Sequence, residues 1–174
     1  MPYAQESDMY PLVSEWLRTF LNSRHPRATI RVFDASRRSL ARLIQETGLT
    51  DHLAPEWPSW DIHVDIVGFI LTERLTKLAF VECKNTPIAL LHLSQLLGYS
   101  RVALPEYSFL MAPQGASVTL RTLLLVHHRL DILEYHTQAG HLPRSMVVAR
   151  WDEAANQIDA SDTITSDRNR LGRL

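Results

Sequence analysis

One cysteine, Cys83, is all the thiol this 174-residue chain has, which excludes an intrachain disulfide framework and a cysteine-built zinc cluster. Long apolar runs are missing as well. None reaches the roughly 18 residues of a membrane span, and the opening MPYAQESDMY has neither the basic nor the apolar region of a signal peptide. Internal repeats and low-complexity segments are absent, which excludes a solenoid. There is no excess of charge of one sign: 18 Lys and Arg against 19 Asp and Glu give a net charge of −1, so no global basic footprint points to nucleic acid. Lysine is scarce, Lys77 and Lys84 being the only two. These absences lead to the expectation of one soluble, cytoplasmic domain held by a packed core, which the 45% hydrophobic content can supply.

The charge that is present is clustered. Arg24, Arg27, Arg31, Arg37, Arg38 and Arg42 stand against one acid, Asp34, before Glu46 is reached. This stretch is the candidate DNA-phosphate contact, and a merely solvated face is the competing reading.

Apolar spacing predicts a helix from about Asp8 to Asn22, with Ser7 or Asp8 as cap and Pro11 in its first turn. A strand from Thr29 to Phe33 and a helix from Arg37 to Thr47, stopped by Gly48, come next. After a loop over Thr50 to Ser59, two strands follow in succession, Trp60 to Leu71 and Leu75 to Asn85, joined by a tight connection. Thr86 and Pro87 are expected to start a helix that runs to Ala103. Tyr107 to Met111 reads as strand, Val118 to Arg129 as helix, and Ile132 to His136 and Met146 to Trp151 as strands joined across a turn at Gly140 to Pro143. The order α-β-α-β-β-α-β-α-β-β is an α/β sheet flanked by helices, with one domain over residues 1–151 and a polar, peripheral tail over 152–174.

The chemistry concentrates in Trp60-Asp61-Ile62-His63-Val64-Asp65-Ile66 and Phe80-Val81-Glu82-Cys83-Lys84-Asn85. Strand alternation puts Asp61, His63 and Asp65 on one side, and Glu82 with Lys84 on one face of the next strand. Charged groups inside apolar strands need partners or a metal. If the strands are neighbours, the Asp65 and Glu82 carboxylates converge, and a hard divalent cation resolves their repulsion, with the Cys83 backbone carbonyl as a third ligand. Magnesium held there, with manganese able to substitute, would acidify a water, while Lys84 orients or deprotonates that water and balances charge on a phosphorane. Phosphodiester hydrolysis is the natural reaction class.

Asp65-Ile66-Val67-Gly68 followed by Glu82-Cys83-Lys84 resembles the PD-(D/E)XK nucleases, which include restriction endonucleases and Holliday junction resolvases. Val64 stands in place of the motif's proline, which that superfamily often lacks. Gln95-Leu96-Leu97-Gly98-Tyr99 fits the glutamine and tyrosine, four apart, of its exonuclease-type members. The resemblance implies a restriction-endonuclease-like mixed sheet, a magnesium-dependent deoxyribonuclease, a catalytic role for Gln95, and a glutamate from the first helix, for which Glu6 is preferred to Glu15. Asp61, His63 and Tyr99 are possible supports around the site. Such a nuclease would act alone as a homodimer or within a larger complex; the alternatives are a silent DNA-binding or protein-interaction module of the same fold in a defence or repair complex, and a nuclease acting on RNA. Trp57 and Trp60 are expected to brace a loop, and His127 and His128, adjacent on a helix, to point different ways.

Overall fold

The computed structural model describes residues 3–136 and 143–166. A 3-10 turn, Glu6–Met9, leads into helix α1, Tyr10–Arg24, with Pro11 in its first turn. Then come β1 (Thr29–Asp34), α2 (Leu40–Thr47), β2 (Ile66–Leu71), β3 (Thr76–Cys83), α3 (Leu90–Ala103) and β4 (Tyr107–Ala112). The chain continues through α4 (Val118–Arg121), β5 (Glu134–His136), β6 (Arg144–Ser145), β7 (Val147–Asp152) and β8 (Gln157–Ile164). Six strands form one sheet in the order β1-β2-β3-β4-β7-β8. Its β3–β4 and β4–β7 pairs are parallel and the others antiparallel, so it is a mixed sheet. Strands β5 and β6 form a separate two-stranded sheet. Among the described residues, no helix is long and apolar enough to cross a membrane.

Two apolar layers hold the sheet between helices. On one face Val13, Leu17, Phe20 and Leu21 of α1 pack on Ile66, Ile70, Ala79, Val81 and Phe109. There α1 comes so close to β2 that a Cβ on Gly68 would meet Leu21 Cδ1 at 2.7 Å. Trp16 is edge-on to Phe109, with centroids 5.1 Å apart, and to Trp151 at 6.2 Å, so α1 is clamped across β4 and β7. On the other face α2, α3 and α4 cover Val67, Phe69, Phe80, Leu110 and Val148. Strands β2 and β3, buried on both faces, are therefore near-continuous apolar runs, interrupted only in β3, by Thr76 and Lys77 at its start and Glu82 near its end.

Several elements differ from the expectation; among them, α2 begins at Leu40 rather than Arg37, and the strand expected from Ile132 begins at Glu134 and pairs with β6, while Val147–Asp152 joins the main sheet. The strand predicted over Trp60 to Leu71 begins at Ile66. Residues 60–64 keep strand-like alternation, with Trp60, Ile62 and Val64 buried. Their backbone partner, however, is a helix end: the carbonyls of Ile62 and Trp60 accept the N–H groups of Leu40 and Ala41 at 2.8 and 3.2 Å, satisfying first-turn donors of α2. Helix α3 starts at Leu90 rather than at Thr86 or Pro87. Ile88 is held extended in a parallel bridge to Ala116, donating to Gly115 O and accepting from Ser117 N–H, both at 2.9 Å. The helix predicted to Arg129 is α-helical only to Arg121; it widens to a π-helical turn, Thr122–Val126, and ends before His128, whose φ is 53°. Gln157–Ile164 is the edge strand β8, not a frayed tail, with Ile158 and Ile164 buried. The turn expected at Gly140 to Pro143 and the last eight residues lie outside the described residues, apart from Pro143.

Candidate active site

The N-terminal end of β2 and the C-terminal ends of β1, β3, β4 and β7 share one end of the sheet. There β2 and β3 fork. Their ladder stops at Ile66 opposite Val81, because residues 60–64 turn away to meet α2. One register step further, Asp65 comes opposite Glu82. The Cys83 N–H, which a continued β2 would have paired, instead donates to Asp65 Oδ2 at 2.7 Å. Asp65 Oδ1 accepts the Tyr10 hydroxyl at 2.7 Å. Lys84 N–H turns the opposite way, to Met111 O on β4 at 2.8 Å. A residue's N–H and C=O leave a strand on the same edge, so the Cys83 carbonyl also faces the fork on the Asp65 side.

Lys84 Nζ lies 2.9 Å from Glu82 Oε1 and 3.2 Å from Glu6 Oε1. Glu6 Oε2 accepts the Asn85 N–H at 3.3 Å, and the Asn85 side-chain amide donates to Tyr3 O at 3.1 Å. The turn before α1 thus delivers Glu6 over the fork. Lys84 is thus paired with two carboxylates and lies in the field of a third, Asp65, and Asp65 and Glu82 are 8% and 5% exposed. Burial, then the Asp65 charge, pushes the Glu82 carboxyl up from 4.5 to about 7 despite Lys84. Burial also raises Asp65, against the pull of Tyr10 and the Cys83 N–H. For Lys84, burial works against the ammonium, but the charges of Glu82, Asp65 and Glu6 outweigh it and hold the group above its usual range. Lys84 is consequently a permanent cation near neutral pH: it can orient and balance charge, but it is a poor proton acceptor. Desolvation and the bond to Asp65 raise the Tyr10 phenol, so it remains a donor.

The chemistry of this donor set suits a hard cation. Two buried carboxylates oppose each other with one ammonium beside them, and the buried Asn85 Oδ1 has no hydrogen-bond partner among the described residues. Among those residues no group of three or more His, Cys, Asp or Glu side chains is arranged to hold a metal ion. Magnesium ordinarily takes one or two carboxylates, with waters and substrate phosphate completing its octahedron, so Asp65, Glu82 and the Cys83 carbonyl are a fitting set.

The structure brings together Glu6, Asp65, Glu82, Cys83 and Lys84, and adds Tyr10 and Asn85. Glu15 is exposed and pairs with Arg18. Asp61 and His63 do not join the cluster: they are exposed and bonded to each other at 3.0 Å, because the segment that carries them leaves the sheet. Gln95 is exposed on α3, and Tyr99 packs against the core beneath α3. Neither bonds to the fork. His92, in the first turn of α3, is within the electrostatic reach of Lys84 and Glu6.

The six arginines do not form one patch. Arg24, its guanidinium 5.4 Å over the Phe20 ring, and Arg27 sit near Thr29, which pairs with Leu71. That is the far end of β2, roughly 17 Å from Ile66 at 3.3 Å per residue. Arg31 lies on the edge strand β1. Arg37, Arg38 and Arg42 follow Asp34 at the site end, but Arg38 and Arg42 are paired with Glu46 at 2.7 and 2.8 Å. Arg42 and Trp57 line an open groove of about 600 Å³ that shares no residue with the acidic cluster. Trp60 is buried, and Trp57 packs on the core, so both brace the segment before Asp65.

Compared with protein-family models, with curated proteins and with solved structures, the chain matches none.

Proposed function

We propose that this chain is a magnesium-dependent deoxyribonuclease of the PD-(D/E)XK superfamily, with a restriction-endonuclease-like fold. The observation that carries the reading is the fork between β2 and β3, where Asp65 and Glu82 meet around Lys84. A helix before the first strand, the antiparallel pair β2–β3 with Asp65, Glu82 and Lys84 at one end, and a helix after it support this reading. Asp65, Glu82 and the Cys83 carbonyl would hold the magnesium, for which manganese can substitute. When bound, the ion supplies Lewis-acid charge to a phosphoryl oxygen and acidifies a water molecule.

The remaining work falls to the chain. Tyr10 and the Cys83 N–H fix the rotamer of Asp65, so its free lone pairs point into the fork. Glu6 and Glu82 hold Lys84 in place, and its ammonium orients the attacking water and offsets charge that develops on the phosphorus oxygens. Arg37 and Arg31, exposed and without ion pairs among the described residues, are the side chains best placed to meet flanking phosphates of DNA. A homodimer or a larger complex would supply a second strand's cut.

A second reading is a DNA-binding or protein-interaction module that does not cut. In its favour, both Asp65 oxygens already accept protein hydrogen bonds. One experiment separates the two. The purified full chain with magnesium or manganese is offered single-stranded, duplex and branched DNA beside RNA. Cleavage of DNA by the wild type, lowered at least about 100-fold in Lys84→Ala with its circular dichroism retained, supports the nuclease. An inert wild type on all substrates supports the module, and cleavage of RNA alone moves the substrate class.

A further inference from the structure

Glu6 reaches the fork on a short strap that is tied on both sides of it. Downstream, Met9 and Tyr10 are buried in the apolar layer shared by α1 and the sheet. Between them and Tyr3, a 3-10 turn is closed by Gln5 and Asp8, each of which donates its N–H to the other, at 2.9 and 3.1 Å, which stiffens the strap. Upstream, Tyr3 packs on the same apolar layer. Its hydroxyl accepts the Trp151 Nε1–H of β7 at 3.2 Å, and its carbonyl accepts the Asn85 side-chain amide at 3.1 Å. Asn85 also donates its own N–H to Glu6 Oε2 at 3.3 Å, while the Lys84 ammonium holds Glu6 Oε1 at 3.2 Å. One residue thus fastens the strap to the strand end that carries Glu82 and Lys84, by its side chain to Tyr3 and by its main chain to Glu6. Turning the amide over would set Oδ1 against the Tyr3 carbonyl, so the tie is made even though it leaves the buried Oδ1 without a partner among the described residues, at a cost to stability.

The tie bears on Lys84. The ammonium is shared, 2.9 Å from Glu82 Oε1 and 3.2 Å from Glu6 Oε1. With Glu6 gone, its charge would fall on Glu82 alone and compete there with a divalent cation. We propose that Asn85 is a positioning residue of this site: by tying the strap it keeps Glu6 on Lys84, and so limits how far the ammonium neutralises a carboxylate that the cation needs. The inference rests on the metal-dependent reading above. Asn85 acts through Glu6, touching neither cation nor substrate.

A residue that merely held the strap for stability would behave differently, and manganese affinity tells the two apart. The full chain would be titrated with manganese by calorimetry as wild type, Asn85→Ala, Glu6→Gln and the double variant, at a temperature where circular dichroism shows all folded. Asn85→Leu, which keeps the side-chain bulk and removes the orphan Oδ1, guards against a cavity effect. Expected is a loss of affinity of about tenfold for Glu6→Gln and roughly fivefold to tenfold for both Asn85 variants, the scale on which one hydrogen bond acts. The double variant should bind within about twofold of Glu6→Gln alone, because the tie has nothing left to position. Asn85→Ala and Asn85→Leu both within about twofold of wild type, or losses that multiply in the double variant, overturn the proposal. A wild type that binds manganese but cuts no DNA overturns the nuclease reading and leaves the tie to these titrations; one that binds no manganese overturns both.

Discussion

Replacing Glu82 by glutamine should make the metal-free protein more stable while removing its affinity for magnesium. In the folded chain burial and Asp65 hold the Glu82 carboxyl near 7 rather than at 4.5. A folded-state value above the unfolded one means that protonation favours folding: this stability is fully present below pH 4.5 and is lost as pH rises through 7. At roughly 1.36 kcal/mol per pH unit, ionised Glu82 costs the fold about 3 kcal/mol at pH 8. Glutamine, neutral at every pH, avoids that cost, although its amide cannot reproduce all the carboxyl's bonds, which brings the expected gain to about 1–2 kcal/mol. For a domain of this size that is a rise in Tm of roughly 3–6 °C. Thermal unfolding of wild type and Glu82→Gln in chelator, at pH 8 and pH 5, measures it directly. The gap should vanish or slightly reverse at pH 5, where the folded carboxyl is protonated and the cost of its burial has fallen to about 1 kcal/mol or less. Added magnesium should raise Tm of the wild type only. A glutamine variant less stable than wild type at pH 8 without metal, or a gap independent of pH, would refute the reasoning.

Tyr10→Phe removes a buried hydroxyl donor from Asp65 and should lower unfolding free energy by about 1–3 kcal/mol in chemical denaturation. Gly68→Ala drives a Cβ against Leu21 in the α1 seam and should cost about 1–3 kcal/mol in the same assay without altering metal affinity. Asp61→Ala and His63→Ala remove an exposed pair outside the fork and should leave both unfolding free energy and DNA cleavage within about 0.5 kcal/mol and twofold of wild type.

The elements that the sequence disclosed are those whose own side chains carry the pattern. Strands β2 and β3 read as apolar runs because both faces are covered, and α1 read as a helix because Val13, Leu17, Phe20 and Leu21 repeat on the face that meets the sheet. Asp65, Glu82 and Lys84 stood out as charges in such runs. What stayed hidden depends on partners. Residues 60–64 alternate like a strand, but whether their carbonyls meet a strand or the start of α2 is a tertiary fact. The start of α3 was misplaced because Thr86 and Pro87 form a good local start signal, while the bridge from Ile88 to Ala116 overrides it. Strand β8 was obscured by its polar outer positions, and only Ile158 and Ile164 mark its buried side.

Manganese soaked into crystals of the metal-free protein tests the central claim most directly, through its anomalous scattering. The account predicts one strong peak in the fork, bonded to the Asp65 and Glu82 carboxylates and the Cys83 carbonyl and lost in Glu82→Gln. A fork that stays empty of manganese at millimolar concentration, with Lys84 still bridging Glu82 and Glu6, would contradict it.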